Sequence, residues 1–250
     1  MEIAEYENIY KNESSHFLYT SRHKIIINLV RKYFRKSHAL KILDAGCGTG
    51  LFAKKLAKFG DVTGIDISSR ALKFAQKRGI KTKKASVIKL PFKENYFNLL
   101  VSIDVLYHRA VEDDVKALKE FFRVLKPNGL LIIRLPANKW IKTIHDQHVH
   151  TRQRYDKVEL RNKLIKVGFA IEKLYFVDGL LLPISLLQSL WQKVVPAKTT
   201  ESAVKPLPKL INNMLAYLLS QDVEWPFGIG LIAVGRKPLR HKITPSKKTS

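Results

Sequence analysis

Residues 43–50 read Leu-Asp-Ala-Gly-Cys-Gly-Thr-Gly, and this stretch decides the fold class. An apolar run precedes it, and the helical pattern of residues 51–57 follows it. The order strand, glycine-rich turn, helix is typical of an α/β fold with a parallel sheet. Because Gly46, Gly48 and Gly50 lack Cβ atoms, a ligand can approach the backbone amides of the turn closely. The stretch therefore predicts a ligand site at the end of the first strand.

A second apolar segment, residues 61–67, indicates what kind of ligand fits. It reads as a strand that ends in Asp66, where a carboxylate can accept hydrogen bonds from ribose hydroxyls. A dinucleotide fingerprint would require Gly or Ala at position 51, and this chain has Leu51. The acidic residue suits either class of nucleotide cofactor, so it does not separate them.

The complete sequence of the two segments distinguishes these two classes of nucleotide cofactor. Residues 43–50, followed by Gly-Ile-Asp-Ile-Ser at 64–68, resemble motifs I and II of the class I S-adenosylmethionine-dependent methyltransferases, in the type 11/12 subgroup. The resemblance implies a three-layer α/β sandwich with a Rossmann-like, mostly parallel seven-stranded sheet, and S-adenosylmethionine as the cofactor. It implies cofactor contacts for Arg22, Asp44, Gly46, Cys47, Gly48, Gly50, Asp66, Ile67, Ser86, Val87, Ile103 and Asp104.

Three other segments carry the same resemblance. Residues 13–22 are similar to an N-terminal E-x-x-H-W-W-F-x-x-R segment, with apolar residues in place of the tryptophans. Residues 104–108 are similar to the family's D-V-L-E-H segment at a strand end. Ser86 stands where the family usually has an aspartate for the adenine amino group, so this contact is weaker here, whereas the backbone N–H of Val87 is retained. The N/D-P-P-Y/W motif of enzymes that methylate base amines is absent.

The loop over residues 138–155 contains the densest histidines of the chain, at 145, 148 and 150. Three histidines invite a metal interpretation, but no cysteine is near and the spacing does not follow one helix face, so we expect no metal. The family often has D-x-H-x-x-H-x-R-R-Y here, which His148 and Tyr155 match. For a hydroxyl acceptor a general base would help, and we predict His108, His148 and Tyr155 as catalytic candidates. Each histidine is equally compatible with a surface or hydrogen-bonding role.

The periodicity of the chain predicts its organisation. We expect helices from residue 22 to about 34 and over 112–125, and the fifth strand over 130–135. Residues 1–237 form the predicted methyltransferase domain, in which a helical lid at 179–221 is inserted before the last strand. The basic tail, 238–250, is expected to be disordered.

The bulk composition sets wider limits. The chain has 250 residues, one cysteine and a formal net charge of +24. A length of this order suits one domain, and a single cysteine excludes an intramolecular disulfide. The N-terminus lacks a signal-peptide pattern, which predicts a cytoplasmic location. The positive charge permits binding to nucleic acid or anionic lipid, although a lysine-rich composition on solvated faces would produce the same bias.

Three functional hypotheses follow. The first is a methyltransferase that acts on a small or lipid-linked acceptor, at a hydroxyl, because the lid is rich in apolar residues. The second is an RNA methyltransferase, suggested by the charge, and the third is a non-catalytic binding protein with the cofactor fold. The uncharged run at 179–192 is too short to span a bilayer. Its apolar surface predicts peripheral contact with an anionic membrane, unless the two lid helices pack together and only cover a substrate.

Overall fold

The computed structural model describes residues 3–35, 39–141, 151–194, 208–221 and 223–239, without the side chains of 3–5, 188 and 190–194. The seven strands are Leu40–Ala45 (β1), Gly60–Asp66 (β2), Lys81–Lys84 (β3), Phe97–Ile103 (β4), Leu125–Pro136 (β5), Ala170–Val177 (β6) and Gly230–Arg236 (β7). They form one sheet in the order β3-β2-β1-β4-β5-β7-β6. Only β7 is antiparallel to its neighbours, β5 and β6. The predicted α/β fold with a mostly parallel sheet is confirmed.

The helices of the described residues are Ile3–Asn12 (α1), Phe17–Tyr33 (α2), Leu51–Leu56 (α3), Ser69–Lys77 (α4), Asp114–Val124 (α5), Lys157–Val167 (α6), Leu182–Val194 (α7) and Lys209–Leu219 (α8). Short 3₁₀ turns follow α3 at Ala57–Phe59 and precede α7 at Gly179–Leu181. None of the helices in this part of the chain combines the length and the apolar character that a bilayer crossing requires.

The sheet separates two hydrophobic cores. Alternate residues of its central strands point to opposite faces: Leu99 and Val101 of β4 belong to one core, and Leu100 to the other. The first core includes side chains of α2, α3 and α4, and the second includes side chains of α5 and α6. Burial on both faces explains the nearly continuous apolar run of β4. The three layers hold the carboxyl ends of β1, β2 and β4 at one edge of the sheet.

The helical insertion lies between β6 and β7, as predicted. Helix α8 packs against α2. The buried Asn212 fixes this contact, because its side-chain oxygen accepts from the Phe17 amide at 2.8 Å and its side-chain nitrogen donates to the Ser15 carbonyl at 2.7 Å. The buried side chain of Asn212 thereby links α8 to the junction between α1 and α2. Most of the predicted tail, from residue 240, lies outside the described residues.

Some element boundaries differ from the prediction. Helix α2 begins at Phe17 instead of residue 22, because the His16 ring accepts from the Leu18 amide and caps the helix. Helix α5 begins at Asp114, since the Asp113 side chain caps it through the Lys116 amide. Strand β5 extends back to Leu125, which pairs with β4 ahead of the predicted start. Helix α1 was not predicted.

Gly50 allows helices α3 and α4 to pack closely against each other. It lies at the start of α3 with φ +82°, and a Cβ atom there would lie 2.7 Å from both Cα and Cβ of Ala75 in α4. Gly79 has a similar φ of +78°, but a Cβ atom there would meet open space. The two positions therefore share the backbone constraint and differ in the space around them.

This difference gives a matched test of the α3–α4 contact. We expect Gly79→Ala to lower the free energy of unfolding by about 1 kcal/mol, because alanine is strained at positive φ. Gly50→Ala should cost about 2–4 kcal/mol, since overpacking adds to the same strain. Urea denaturation monitored by circular dichroism measures both. Equal losses in the two variants would show that the contact with Ala75 contributes nothing.

Candidate functional site

A cavity of about 460 Å³ lies at the carboxyl ends of β1, β2 and β4. Its walls come from the glycine-rich turn, the segment 85–87 and the segment 103–111, and the N-terminal residues of α1 and α2 cover it. We call it the central cavity. Ligands of open α/β sheets bind at this edge, where strand order reverses. In this sheet β1 lies between β2 and β4, so the reversal falls at the glycine-rich turn.

Backbone amides tie the glycine-rich turn to strand β2. The amides of Gly46 and Cys47 both donate to the Ile65 carbonyl at 2.8 Å. The Gly48 amide donates to Asp66 Oδ2 at 3.0 Å, and the Ser68 amide donates to Asp66 Oδ1 at 2.9 Å. A Cβ atom at Gly48 would meet no atom within 4 Å, so the turn leaves open space at this glycine, which lines the cavity. The Asp66 carboxylate both shapes the turn and lines the cavity.

Asp44 is the second carboxylate of the central cavity. It is 3% exposed, at the end of β1, and its Oδ2 atom has no hydrogen-bond partner among the described residues. Burial, and secondly the charge of Asp66, raise the pKa of Asp44 from 3.8 to about 7. Burial also raises the pKa of Asp66, against the effect of its backbone hydrogen bonds. The buried Asp44 and the partly exposed Asp66, both lining one cavity, favour a cationic ligand.

The N-terminal segment is anchored to the glycine-rich turn. The buried Glu13 carboxylate accepts hydrogen bonds from the Thr49 hydroxyl and from the Arg78 guanidinium. Arg78 also donates to the Tyr10 carbonyl at 3.2 Å and lies 4.2 Å from the centre of the Tyr10 ring. These contacts hold α1 over the central cavity, which Tyr6 lines from the same helix. These contacts explain why α1 forms there, although its own sequence did not predict a helix.

A chain of ion pairs runs from the central cavity into the sheet. Arg22 donates to Asp104 at 3.2 Å, and Arg134 donates to the same carboxylate at 2.6 Å. The other arm of Arg134 donates to Asp178 at 2.6 Å. Arg134 and Asp178 are buried, 3% and 4% exposed, whereas Asp104 lines the cavity with a φ of +55°. Each buried charge thus has a partner of opposite sign, as burial requires.

The predicted cofactor contacts can now be placed. Among the residues that line the central cavity are Arg22, Asp44, Gly46, Cys47, Gly48, Asp66, Ile67, Ser86, Val87, Ile103 and Asp104. Gly50 is outside this set, because it faces Ala75. The Ser86 hydroxyl accepts from the Ile88 amide at 3.5 Å, which shapes the turn after β3. The cavity therefore brings together all the predicted cofactor residues except Gly50.

Of the three predicted catalytic residues, His108 lines the central cavity. Its Nδ1 atom accepts a hydrogen bond from the Ala110 amide at 3.1 Å. A ring nitrogen that accepts is unprotonated, so neutral His108 carries its proton on Nε2. In this tautomer His108 offers a donor, and not a base, at Nε2. His148 lies outside the described residues, as do His145 and His150 of the metal interpretation. Among the described residues no three metal-ligating side chains cluster.

Tyr155 does not line the central cavity. It is fully buried, with its hydroxyl 2.6 Å from Asp114 Oδ2 and 3.1 Å from the Leu106 carbonyl oxygen. Burial, and then the hydrogen bond to Asp114, raise the pKa of Tyr155. Lys163 donates to the same carboxylate at 2.7 Å. The position is that of a packing residue which anchors the end of the histidine loop, and we drop Tyr155 from the catalytic candidates.

Some residues of the site were missed from the sequence. They are Tyr6, His23, Thr49, Arg78, Arg134 and Asp178. Arg134 left a signal, since a single charge inside a strand that is apolar on both faces must have a buried partner. His23 lines the cavity, and burial together with the charge of Lys55 lowers its pKa well below 6.5, so it is neutral. No pattern in the sequence indicates Tyr6 or His23.

The pKa of Asp44 predicts how stability depends on pH. The folded-state pKa of about 7 lies above the unfolded value of 3.8, so between them the folded state binds the extra proton. The free energy of unfolding of the ligand-free protein should therefore fall as pH rises from about 4 to about 7, and this contribution should level off above. In Asp44→Asn this component should be absent. Thermal unfolding of both proteins across this range measures it, with Asp61→Asn, an exposed carboxylate of β2, as the control. Parallel curves for all three proteins would contradict the raised pKa.

Comparison with known proteins identifies the glycine-rich half of the chain. Residues 43–133, from the second half of β1 to most of β5, match the family model described as a methyltransferase domain. A demethylmenaquinone methyltransferase of Staphylococcus aureus is 35% identical over 120 residues, 44% of this chain and 49% of that protein. A tRNA (carboxymethyluridine(34)-5-O)-methyltransferase of Arabidopsis thaliana is 37% identical over 97 residues, 38% of this chain and 24% of that protein. The chain spans less than half the length of the curated relatives it matches.

Solved structures match most of the chain. A SAM-dependent methyltransferase from Thermotoga maritima covers 94% of this chain, which covers 96% of it, with a TM-score of 0.60 and 20% identity. A phosphoethanolamine N-methyltransferase of Haemonchus contortus, in complex with S-adenosyl-L-methionine, covers 85% of this chain, which covers 52% of it, with a TM-score of 0.59 and 17% identity. At these identities the likeness concerns the fold. Residues 43–133 are thus those of a methyltransferase domain of the type 11 family, and the chain has the fold of SAM-dependent methyltransferases.

Proposed function

We propose that the protein transfers the methyl group of S-adenosylmethionine to a hydroxyl of a small or lipid-linked acceptor. The observation that carries the cofactor half of this proposal is the unpartnered Oδ2 atom of Asp44, buried beside the central cavity. A buried carboxylate without a partner is costly, and a cationic ligand removes the cost. In a chain of net charge +24, a cavity whose lining includes the carboxylates of Asp44 and Asp66 is suited to a cation.

The residues of the central cavity fit this cofactor. S-adenosylmethionine carries a sulfonium, an ammonium and a ribose, and when bound it supplies an electrophilic methyl group. We assign Asp44 to the cationic part and Asp66 to the ribose hydroxyls, since an anionic acceptor forms strong hydrogen bonds. The Val87 amide and the Ser86 hydroxyl remain for the adenine. A cation beside Asp44 lowers its pKa, so cofactor binding below pH 7 should release a proton.

The acceptor half of the proposal rests on His108. With Nδ1 engaged by the Ala110 amide, Nε2 carries the proton of the neutral ring, and we assign this N–H to the acceptor oxygen, which it would align with the methyl group. A role as general base would require that the ring exchange its tautomer or release Ala110. We propose His108 as the orienting residue, and the general-base hypothesis is its rival. His148 remains a prediction.

The second candidate function is methylation of RNA. The net charge of +24 supports it, and so does the similarity of residues in the cofactor half to a tRNA methyltransferase. The fold alone does not choose between the two candidate functions, because one fold supports many functions.

Two other expectations remain predictions. One is the division of the chain into a 1–237 domain with a lid at 179–221. The other is a cytoplasmic location with peripheral contact to a membrane.

Transfer of a labelled methyl group tests the proposed function. Incubation of the protein with methyl-labelled cofactor and cell extract should place label in the lipid or small-molecule fraction. Asp66→Ala should lower cofactor affinity by about ten- to a hundredfold, because a charged hydrogen-bond acceptor is lost. Asp61→Ala, which removes an exposed carboxylate of the same strand, should retain full affinity. Calorimetry measures affinity, and circular dichroism verifies the fold.

The fraction that receives the label decides between the two functions. Label in RNA, with activity that falls steeply as salt is raised, would support the RNA methyltransferase, because phosphate contacts release counterions. Nearly constant activity on a neutral acceptor over the same salt range supports the proposed function. Unchanged cofactor affinity in Asp66→Ala would contradict the assignment of the cofactor site.

Substitutions of His108 separate an orienting role from a basic one. We expect His108→Ala to lower kcat by about tenfold through loss of one hydrogen bond. His108→Gln should keep most of the activity, because its amide N–H replaces Nε2–H. If His108 were a general base, kcat should instead fall by about a hundredfold or more in both variants. Cofactor affinity should be unchanged in both, and Arg109→Ala, at the exposed neighbouring position, is the control. Full activity in His108→Ala would show that His108 does not act on the acceptor.

A further inference from the structure

Helix α8 exposes an apolar surface that the rest of the described chain does not cover. Five large side chains of this helix are more than 40% exposed, namely Leu210 (83%), Ile211 (45%), Met214 (53%), Tyr217 (63%) and Leu218 (42%). Asn212 and Leu219 are the buried side chains by which the helix is attached. Soluble surfaces seldom expose contiguous apolar residues on this scale without a partner.

The exposed side chains form one stripe. Successive residues of an α-helix are turned by about 100°, so Tyr217, Leu210, Met214, Leu218 and Ile211 follow one another within an arc of about 120°. Asn212 and Leu219 fall on the opposite side of the helix. The arc is continuous, and it contains no charged residue. We call it the α8 stripe.

A basic cleft adjoins the α8 stripe. This second cavity, about 510 Å³, lies between α2 and α8, and its polar lining includes Ser14, Ser15, Thr20, Lys24, Lys209 and Asn213. Lys24 and Lys209 are exposed, and neither makes an ion pair with a carboxylate among the described residues. Tyr217 belongs both to the stripe and to the cleft lining, and Lys24 Nζ lies 5.7 Å from the centre of its ring. The stripe and the cleft therefore form one surface.

We propose that this surface docks the protein on an anionic phospholipid membrane. The α8 stripe would lie among the acyl chains near the interface, and the two lysines of the cleft would contact lipid phosphates. Four of the five stripe residues are aliphatic or methionine, side chains that suit hydrocarbon, whereas a surface for RNA would present stacking aromatics beside its cations. Apolar residues rimmed by cations are complementary to an anionic bilayer.

Two further features agree with this orientation. Before and within α7, Leu180, Ile184 and Leu187 are 46%, 62% and 69% exposed, so the preceding helix of the insertion adds apolar surface. The Asn212 side chain bonds to the α1–α2 junction, and Leu18 and Tyr19, directly after that junction, line the central cavity. The membrane surface thus adjoins the cover of the central cavity. Delivery of a lipid-linked acceptor along this path rests on the proposed function, whereas the docking itself does not.

Vesicle flotation tests the docking. The full chain should float with vesicles of phosphatidylcholine and phosphatidylserine, and much less with phosphatidylcholine alone. Leu210→Glu/Met214→Glu should reduce binding to the anionic vesicles by about tenfold or more, because apolar contact is replaced by charge. Val158→Glu/Ile165→Glu changes two exposed apolar residues of α6, 69% and 51% exposed, with the same change in net charge, and it should float like the intact protein.

A second pair of variants tests the cleft. Lys24→Gln/Lys209→Gln should weaken binding to anionic vesicles by about tenfold, and Lys119→Gln/Lys166→Gln, two exposed lysines of α5 and α6, should weaken it much less. Thermal unfolding verifies that each variant is folded. No flotation of the intact protein, or equal flotation of the α8 and α6 variants, would overturn the proposal. So would a loss of RNA binding in the cleft variant with vesicle binding intact. Flotation requires no cofactor, so its result is independent of the labelled-methyl experiment.

Discussion

The hydrogen bonds between the glycine-rich turn and the end of β2 are the constraint on which the site depends. Three consecutive amides of the turn, at residues 46–48, donate to the Ile65 carbonyl and to the Asp66 carboxylate. They hold the ends of two neighbouring parallel strands in one register, in which Ala45 pairs with Ile65. As a result Asp44 and Asp66 line one cavity, where the charge of Asp66 disfavours ionisation of Asp44. The hydrogen bonds that form the turn therefore also bring the two carboxylates into one cavity, which favours a cationic ligand.

A second constraint links this cavity to the far side of the sheet. Arg134 on β5 joins Asp104, at the end of β4, to Asp178, at the end of β6. Because Arg134 is buried, either carboxylate alone would leave one of its terminal nitrogens without an acceptor, so the two strand ends are held to one point. The helical insertion begins directly after Asp178, and Arg22 of α2 also bonds to Asp104. The ion pairs thus fix α2, which contributes to the cavity lining, and the strand end from which the helical insertion starts.

The sequence predicted those parts that depend on local chemistry. The turn and the second strand with its terminal Asp66 follow from glycine positions and hydrophobic pattern, which neighbouring residues determine. The parts it missed depend on distant partners: α1 is held by the contact between Glu13 and Arg78, 65 residues apart in the chain. Tyr155 illustrates the opposite error, because a motif position indicated chemistry while the chain path turned the ring into the core, towards Asp114. A resemblance to a family motif indicates which residue type occupies a position, but it does not indicate the contacts that the side chain makes in this fold.

The distribution of charge separates cofactor binding from acceptor binding. A net charge of +24 repels a cationic cofactor at distances within the Debye length, about 8 Å at physiological salt, so attraction must come from the carboxylates inside the cavity. The surface lysines and arginines therefore do not serve the cofactor. We expect the excess of surface lysines and arginines to act in binding at the outer surface. On the described chain, the place where exposed lysines without carboxylate partners meet an uncovered apolar stripe is the α8 surface, on the cover of the cavity.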